Sequence, residues 1–323
     1  MTVRPLTGGD EAVVADLAAQ YAYGPYRHYR VWSRAKQRAM LAAEIARSRA
    51  TDGSLALIGG AGEEAVVGLA RPLPWDTAFF GVPMGRIDLL LRGPGAASAT
   101  LTGVLEALLG ACRDSGILHV AARVDVADLE AVHALEAAGF RLMDALVTYF
   151  THPHREAPPV VREVGRIRPY TPADYDQVLE ITAEAYRGYR GRFHLDGHLP
   201  ASRVDAFYLE WARQCCAGVM ADRIVVADDG EGRVHGWAST RRVEPASTAG
   251  GMTLWAGSLG ACRRDTPGAY AGLIRRLAVE NHQAGEVTET QTQNHNVATV
   301  RVYTAVGARY VRGDYTFHAW LGR

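Results

Sequence analysis

Lysine is almost missing from this chain. Among 35 basic residues only Lys36 is a lysine; the others are arginines. An excess of either charge is missing too, since 35 acidic residues balance the basic ones. That leaves no overall basic field of the kind that holds nucleic acid through many phosphate contacts. Cysteine is scarce: Cys112, Cys215, Cys216 and Cys262 make no C-x-x-C pair, and no His/Cys cluster has zinc spacing. A disulfide framework is therefore excluded, and no metal is expected. The adjacent Cys215 and Cys216 read as reduced thiols. No apolar run approaches the roughly 20 residues of a membrane span. The start, MTVRPLTGGDEAVVADL, lacks the charged-then-apolar order of a signal peptide. These absences lead us to expect a cytoplasmic protein with neither membrane nor nucleic acid as partner.

What is present is ordinary for a globular protein: 48% hydrophobic and 22% charged residues over 323 positions. That length suits one large domain or two ordinary ones. The chain repeats itself. Val3-Arg4-Pro5-Leu6-Thr7, with Asp10 after it, returns as Ile167-Arg168-Pro169-Tyr170-Thr171, with Asp174 after it. Ala138-Gly139-Phe140 returns as Val306-Gly307-Ala308. Nine residues beyond each glycine stand Thr148-Tyr149-Phe150 and Thr316-Phe317-His318. We expect two similar domains, 1–152 and 166–323, joined over 153–165 by the proline-rich stretch His152 to Pro159.

In the second half, short strands are expected at 167–170, 223–227, 233–243, 251–261, 286–292 and 309–320. Helices are expected at 172–186, 200–216, 268–284 and 296–305. In the first half the matching expectations are a strand at 86–91, a helix at 98–114 and a strand at 117–123. The pattern gives an α+β fold, a mixed central sheet flanked by helices.

Asn296 and Tyr303 lie seven residues apart, two helical turns, so a capping amide and a phenol share one face. Gly307 closes that helix at a position suited to left-handed φ. The segment resembles the N-x-x-x-x-x-x-Y-x-x-x-G of GNAT acyltransferases, and the element order is similar to that family's. Tandem GNAT domains follow from the repeat. Three further stretches narrow the resemblance to the dTDP-fucosamine N-acetyltransferases. They are Leu73 to Val82 (LPWDTAFFGV), Tyr208-Leu209-Glu210-Trp211, and Thr290 to Ala308 with Tyr315 to Trp320. The likeness covers most of 167–323 and the segments 73–87 and 128–150.

The resemblance implies an acetyl-coenzyme A dependent N-acetyltransferase that acts on a small-molecule amine, such as a nucleotide-linked amino sugar. An amino acid, peptide or antibiotic amine is the alternative acceptor, and a non-catalytic module of decayed domains is the third reading. A monomer or homodimer is expected. Carried over by position, Tyr303 would be the general acid for the departing thiolate; phenols and thiols have reference pKa values of roughly 8.5–10, so the exchange needs little driving force. Gly268, Ala269 and Tyr270 would line the pyrophosphate loop at a helix amino terminus, with Arg263 and Arg264 as phosphate partners. Asn296 would hold the pantetheine arm or the active-site backbone. Gly257, Ser258 and Leu259 would bind the cofactor on a splayed strand, the first two facing the oxyanion. Two departures stand out. Val302 precedes the tyrosine where the family has arginine, and the 261–267 loop is longer.

No general base is evident. Thr253 and Ser258 could position water, while His235 and Glu244 are the titratable candidates. Cys262 has no His/Asp partner in the pattern and reads as a core or loop cysteine. The insert 185–198 is rich in Tyr, Arg and His, and we expect Tyr189, Arg192, His194 and His198 to bind substrate. In the first half Asp128 and Leu135 replace the asparagine and tyrosine, and Pro94 removes an amide donor from the loop. No acetyl transfer is expected there. Trp75, Phe79 and Phe80 read as packing anchors.

Overall fold

The computed structural model describes residues 2–153 and 155–322. It divides into two compact units, Met1–Ala145 with Gly313–Arg323, and Leu146–Arg312.

The first unit opens with β1 (Val3–Pro5), α1 (Glu11–Gln20) and α2 (Arg34–Ala50). There follow β2 (Leu55–Gly59), β3 (Val66–Pro72), the short α3 (Pro74–Phe80) and β4 (Met84–Arg92). Then come α4 (Ser98–Asp114), β5 (His119–Asp125), α5 (Leu129–Ala137) and β6 (Arg141–Thr151). The second unit runs β7 (Arg166–Pro169), α6 (Tyr175–Ala185), α7 (Ala201–Cys216), β8 (Arg223–Asp228), β9 (Val234–Arg242) and the short α8 (Ala246–Gly250). It continues with β10 (Leu254–Cys262), α9 (Ala269–Gln283), β11 (Val287–Gln293), α10 (Val297–Ala305) and β12 (Arg309–Trp320). No helix among the described residues is long and apolar enough to cross a membrane.

The halves start alike for a physical reason. In each, Thr-x-x-Asp makes a reciprocal capping box, Thr7 with Asp10 and Thr171 with Asp174. An arginine three residues ahead of the threonine clamps the same carboxylate, Arg4 to Asp10 and Arg168 to Asp174, with N–O distances of 2.6–2.8 Å.

The ends differ from the expectation of 1–152 and 166–323. In the first unit the strand order is β1-β2-β3-β4-β5-β12; in the second it is β6-β11-β10-β9-β8-β7. Each half has given its last strand to the other unit. β12 pairs antiparallel with β5 from Asp314↔Asp125 to Trp320↔His119. β6 pairs antiparallel with β11 from Thr288↔Thr151 to Gln293↔Leu146. Phe317, Ala319 and Leu321 are thereby buried in the first unit's core with Leu105, Leu108 and Leu135. Burying a side chain of that size stabilises by about 1.5–3 kcal/mol.

The stretch before β7 also differs from a loose linker. Val161 packs against the core under α9 and α10. Arg275 Nε donates to the Pro159 carbonyl at 2.8 Å, and its guanidinium pairs with Glu163 at 3.2 Å. Residues 159–165 are a strap laid along α9.

Two layers of helix cover the second unit's sheet. α6 and α7 bury Val178, Ile181, Ala212 and Cys215 over Trp237 and Leu259. On the opposite face α9 buries Leu273, Ile274 and Leu277 beside Tyr303 of α10. Those α9 positions recur at three- and four-residue spacing, the stripe of an amphipathic helix.

Candidate active site

The second unit's sheet comes apart at one place. Parallel strands β10 and β11 pair only at Leu254↔Val287, Trp255↔Thr288 and Ala256↔Glu289. On its other edge β10 loses register with β9 between Gly257 and Gly260. A bulge bends a strand and interrupts its ladder. Here it coincides with the end of pairing, so β10 and β11 part from Gly257 onward.

Tyrosines from both faces reach this parting. On α10, Asn296 is the N-cap and accepts from the Thr299 amide at 3.3 Å. Two turns on, Tyr303 is 4% exposed. Its hydroxyl donates to the Gln291 carbonyl of β11 at 3.2 Å, and Tyr270 of α9 is its neighbour. The Tyr270 ring lies over Gly260, where an added Cβ would stand 3.0 Å from its Cε2 and 2.9 Å from the Trp237 carbonyl oxygen. Only glycine permits that approach. From the α6–α7 face, Tyr186 donates to the Gly260 carbonyl at 3.1 Å, and Tyr189 bonds the side-chain oxygen of Gln293. Burial pushes the Tyr303 phenol well above its ordinary value near 10, and the neighbouring Tyr270 adds to the rise. Burial raises Tyr186 likewise, with Tyr208 next in effect. These phenols therefore stay neutral and protonated across the physiological range.

Trp211 and Tyr208, which carry part of the sequence resemblance, both border this region. Trp211 Nε1 donates to Ser258 Oγ at 3.2 Å. Tyr208 stacks on Tyr186 with ring centroids 4.2 Å apart. Their spacing of three on α7 is the signal that puts both on one helix face. Gln291, Gln293 and Gly260 carried no such signal.

The residues singled out in the sequence fare differently. Gly268 takes φ +97° at the head of α9 and Gly307 takes φ +81° after α10, both conformations that suit glycine. Ala269 is fully buried in the first turn of α9. Tyr270 was expected in the pyrophosphate loop; one residue into the helix it turns inward, beside Tyr303. Arg263 was expected on phosphate. Its guanidinium is held by Glu180 at 2.9 and 3.2 Å, and Nε donates to the Val234 carbonyl, which ties the end of β10 to α6. Arg264 is exposed and makes no hydrogen bond or ion pair among the described residues. Asn296 spends its oxygen on the helix cap and its amide on Thr292 Oγ1 at 3.1 Å, so it anchors α10. Leu259 gives its amide to Ser239 Oγ at 3.0 Å. Ser258 donates to the Met220 carbonyl at 2.8 Å, which occupies the hydroxyl proposed to position water. Gly257 lies against Thr290 of β11.

Within the insert, Tyr189 meets the parting, and His194 lies parallel to the Tyr208 ring at 6.1 Å. Burial lowers the pKa of His194, partly offset by Asp205. Arg192 packs over Phe193 at 4.5 Å, and His198 is exposed; neither is brought to the parting by these contacts. Among the base candidates, Glu244 is engaged by Arg242 at 2.7 Å and by Thr248 at 2.8 Å. His235 stands at the turn end of β9 beside Gly165. Thr253 precedes β10, at the end where pairing with β11 is intact. Burial pushes the Cys262 thiol up to about 12, so it supplies no thiolate at neutral pH.

An acyl thioester on a pantetheine arm is uncharged and amide-rich. Neutral phenols, unpaired strand edges and a glycine-led helix amino terminus fit such a group, where a charged lining would be desolvated at a cost.

No family model matches this sequence. The chain is similar to solved structures along nearly its whole length. A GCN5-related N-acetyltransferase from Sphaerobacter thermophilus aligns over 99% of this chain and 95% of its own, with TM-score 0.63 and 12% identity. A tandem GNAT protein from the clavulanic acid biosynthesis pathway aligns over 100% and 99%, with TM-score 0.53 and 17% identity. The fold is a tandem GNAT fold. At the level of sequence, the spore coat polysaccharide biosynthesis protein SpsD of Bacillus subtilis is 25% identical over 207 residues. That match spans 62% of this chain and 66% of SpsD.

Proposed function

We propose that the second unit is an N-acyltransferase that moves an acetyl group from acetyl-coenzyme A to a primary amine. The observation that carries this reading is the parting of β10 and β11 with the Tyr303 hydroxyl at its margin. Coenzyme A supplies an activated thioester. This chain's residues bind, orient and protonate. The backbone of β10 at Gly257 and Ser258 receives the thioester carbonyl and stabilises its developing negative charge. The neutral amine attacks directly, held beside the carbonyl rather than meeting it from bulk water. The carbon–sulfur bond breaks and Tyr303 gives its proton to the sulfur, while the attacking nitrogen loses a proton to water and the phenolate takes one back from water. Burial disfavours the charged form of the phenol, and it disfavours a thiolate expelled into the same dry space as well, so a proton is wanted on the sulfur as it departs. Gly268 at the head of α9 receives the pyrophosphate, and exposed Arg264 supplies charge.

The acceptor we propose is a nucleotide-linked amino sugar. Support comes from the resemblance of 73–82, 208–211 and 290–308 to sugar N-acetyltransferases, and from the partial likeness to a polysaccharide biosynthesis protein. Tyr189 and His194 would face that acceptor from the α6–α7 side. The test is an acceptor screen with labelled acetyl-coenzyme A, containing nucleotide-linked amino sugars, free amino acids and aminoglycosides. Transfer to the sugar nucleotides is expected. Transfer confined to amino acids would replace the acceptor assignment, and absence of acetyl-coenzyme A binding would end the enzymatic reading. Tyr303→Phe should lower kcat about 10²–10⁴-fold; full turnover by that variant at every pH would remove Tyr303 as the acid.

A further inference from the structure

The face of the parting opposite Tyr303 is closed by stacked rings. Tyr186 and Tyr208 lie parallel, 4.2 Å apart and 10° from coplanar. Tyr208 and Trp211 continue the series at 6.3 Å and 12°. The series is fastened to the parted segment at two points: Tyr186 to the Gly260 carbonyl at 3.1 Å and Trp211 to Ser258 Oγ at 3.2 Å. Ser258 is itself held by the Met220 carbonyl at 2.8 Å. Rings stacked face to face, with the first and last of the series hydrogen-bonded to the strand, form a stiff wall, since moving either end breaks a hydrogen bond and a stack together.

A direction follows from the chemistry. If the thioester carbonyl rests on 257–260 and the sulfur faces Tyr303 on the α9–α10 side, the alkyl end points to the α6–α7 side. That is where the wall stands. We propose that Tyr186, Tyr208 and Trp211 fix the length of the acyl group, admitting acetyl and refusing longer chains. This rests on reading the second unit as an acyltransferase, and it supplies the donor's chain length, which no sequence motif specified. Each extra methylene would have to displace Tyr186 or Trp211, both hydrogen-bonded to the strand that holds the carbonyl, or the Tyr208 ring stacked between them.

The test is calorimetric titration of the full chain with coenzyme A, acetyl-, butyryl- and octanoyl-coenzyme A, read as affinity ratios within each protein. Wild type should bind butyryl-coenzyme A at least about tenfold more weakly than acetyl-coenzyme A, the scale of discrimination a closed apolar pocket gives per extra methylene. Trp211→Leu and Tyr208→Ala should each bring that ratio to within about threefold, as lost wall volume becomes room for the chain. Thermal melts establish that each variant is folded; if Trp211→Leu is not, Tyr208→Ala carries the comparison. Equal binding of acetyl and octanoyl donors by wild type, or ratios unmoved in the folded variants, overturns the wall while leaving the acyltransferase reading intact. Failure of wild type to bind coenzyme A itself overturns both.

Discussion

The two units contain the same parting of strands and fill it with opposite chemistry. In the first unit, parallel β4 and β5 pair from Met84↔His119 to Ile87↔Ala122 and then separate, though β4 runs on to Arg92. Beyond the separation Arg92 grips Asp128, with one contact at 2.9 Å, and reaches Glu130 at 2.8 Å. Tyr21 donates to Asp128 at 3.3 Å. The Tyr23 ring sits between Arg27 and Arg92, 5.2 and 5.1 Å from their guanidinium carbons. Leu135, in the place of the second unit's Tyr303, is fully buried in apolar core. The second unit's parting has neutral phenols instead. One unit has stapled its opening shut with a buried ion pair; the other keeps it lined by groups that can give up bonds to a ligand. The two backbones are alike at this point, and on the proposed function the side chains at two helix caps and one strand end would decide which unit binds a donor.

Three experiments would break or sharpen this comparison. The largest effect is expected from cutting the chain. A fragment of residues 1–152 lacks β12, the strand paired with β5, and should show no cooperative melt by circular dichroism; a native-like transition would contradict the strand exchange. Next, Asp128→Ala leaves the Arg92 charge buried and removes the α5 cap, and should cost about 3–5 kcal/mol in urea unfolding. A cost under about 1 kcal/mol would mean that water already reaches the pair. The smallest effect concerns acid. The clamp by Arg168, then the bonds from Thr171, hold Asp174 down to about 2, against an ordinary 3.8. A lowered carboxylate stabilises the fold above its unfolded pKa and loses that contribution as pH falls through the folded value. Asp174→Asn should therefore cost about 1 kcal/mol near neutrality, after screening is allowed for, and nothing below pH about 2. A difference from wild type that stays constant with pH would rule out the clamp as its source.

Much of the fold was legible because its signals are local. The repeated Arg-Pro-x-Thr with its aspartate three residues on is a capping box that one turn of chain specifies. Asn296 with Tyr303 and Gly307 likewise writes its own helix. What was illegible depends on distant partners. Strands β6 and β12 have similar alternation, so nothing local says which unit each will join. The expected strand at 251–261 begins at Leu254, because 246–250 curl into α8 when Ser247 Oγ takes the Leu254 amide at 2.9 Å. Arg263 looked available for phosphate until Glu180 arrived from a helix 83 residues away. The resemblance sets Tyr270 on the pyrophosphate loop, whereas the α9 stripe that buries Leu273 and Leu277 also turns it inward. The strap at 159–165 read as linker because its partners, Arg275 and the glycines of α9, come more than 100 residues later.

The most direct measurement is the stoichiometry of acetyl-coenzyme A binding by calorimetry, in wild type, Asp128→Asn and Gly260→Val. A side chain at Gly260 would run into the Tyr270 ring and close the second parting. The account predicts one site per chain in wild type and in Asp128→Asn, and none in folded Gly260→Val. Two sites in wild type, or binding that survives Gly260→Val, would contradict it.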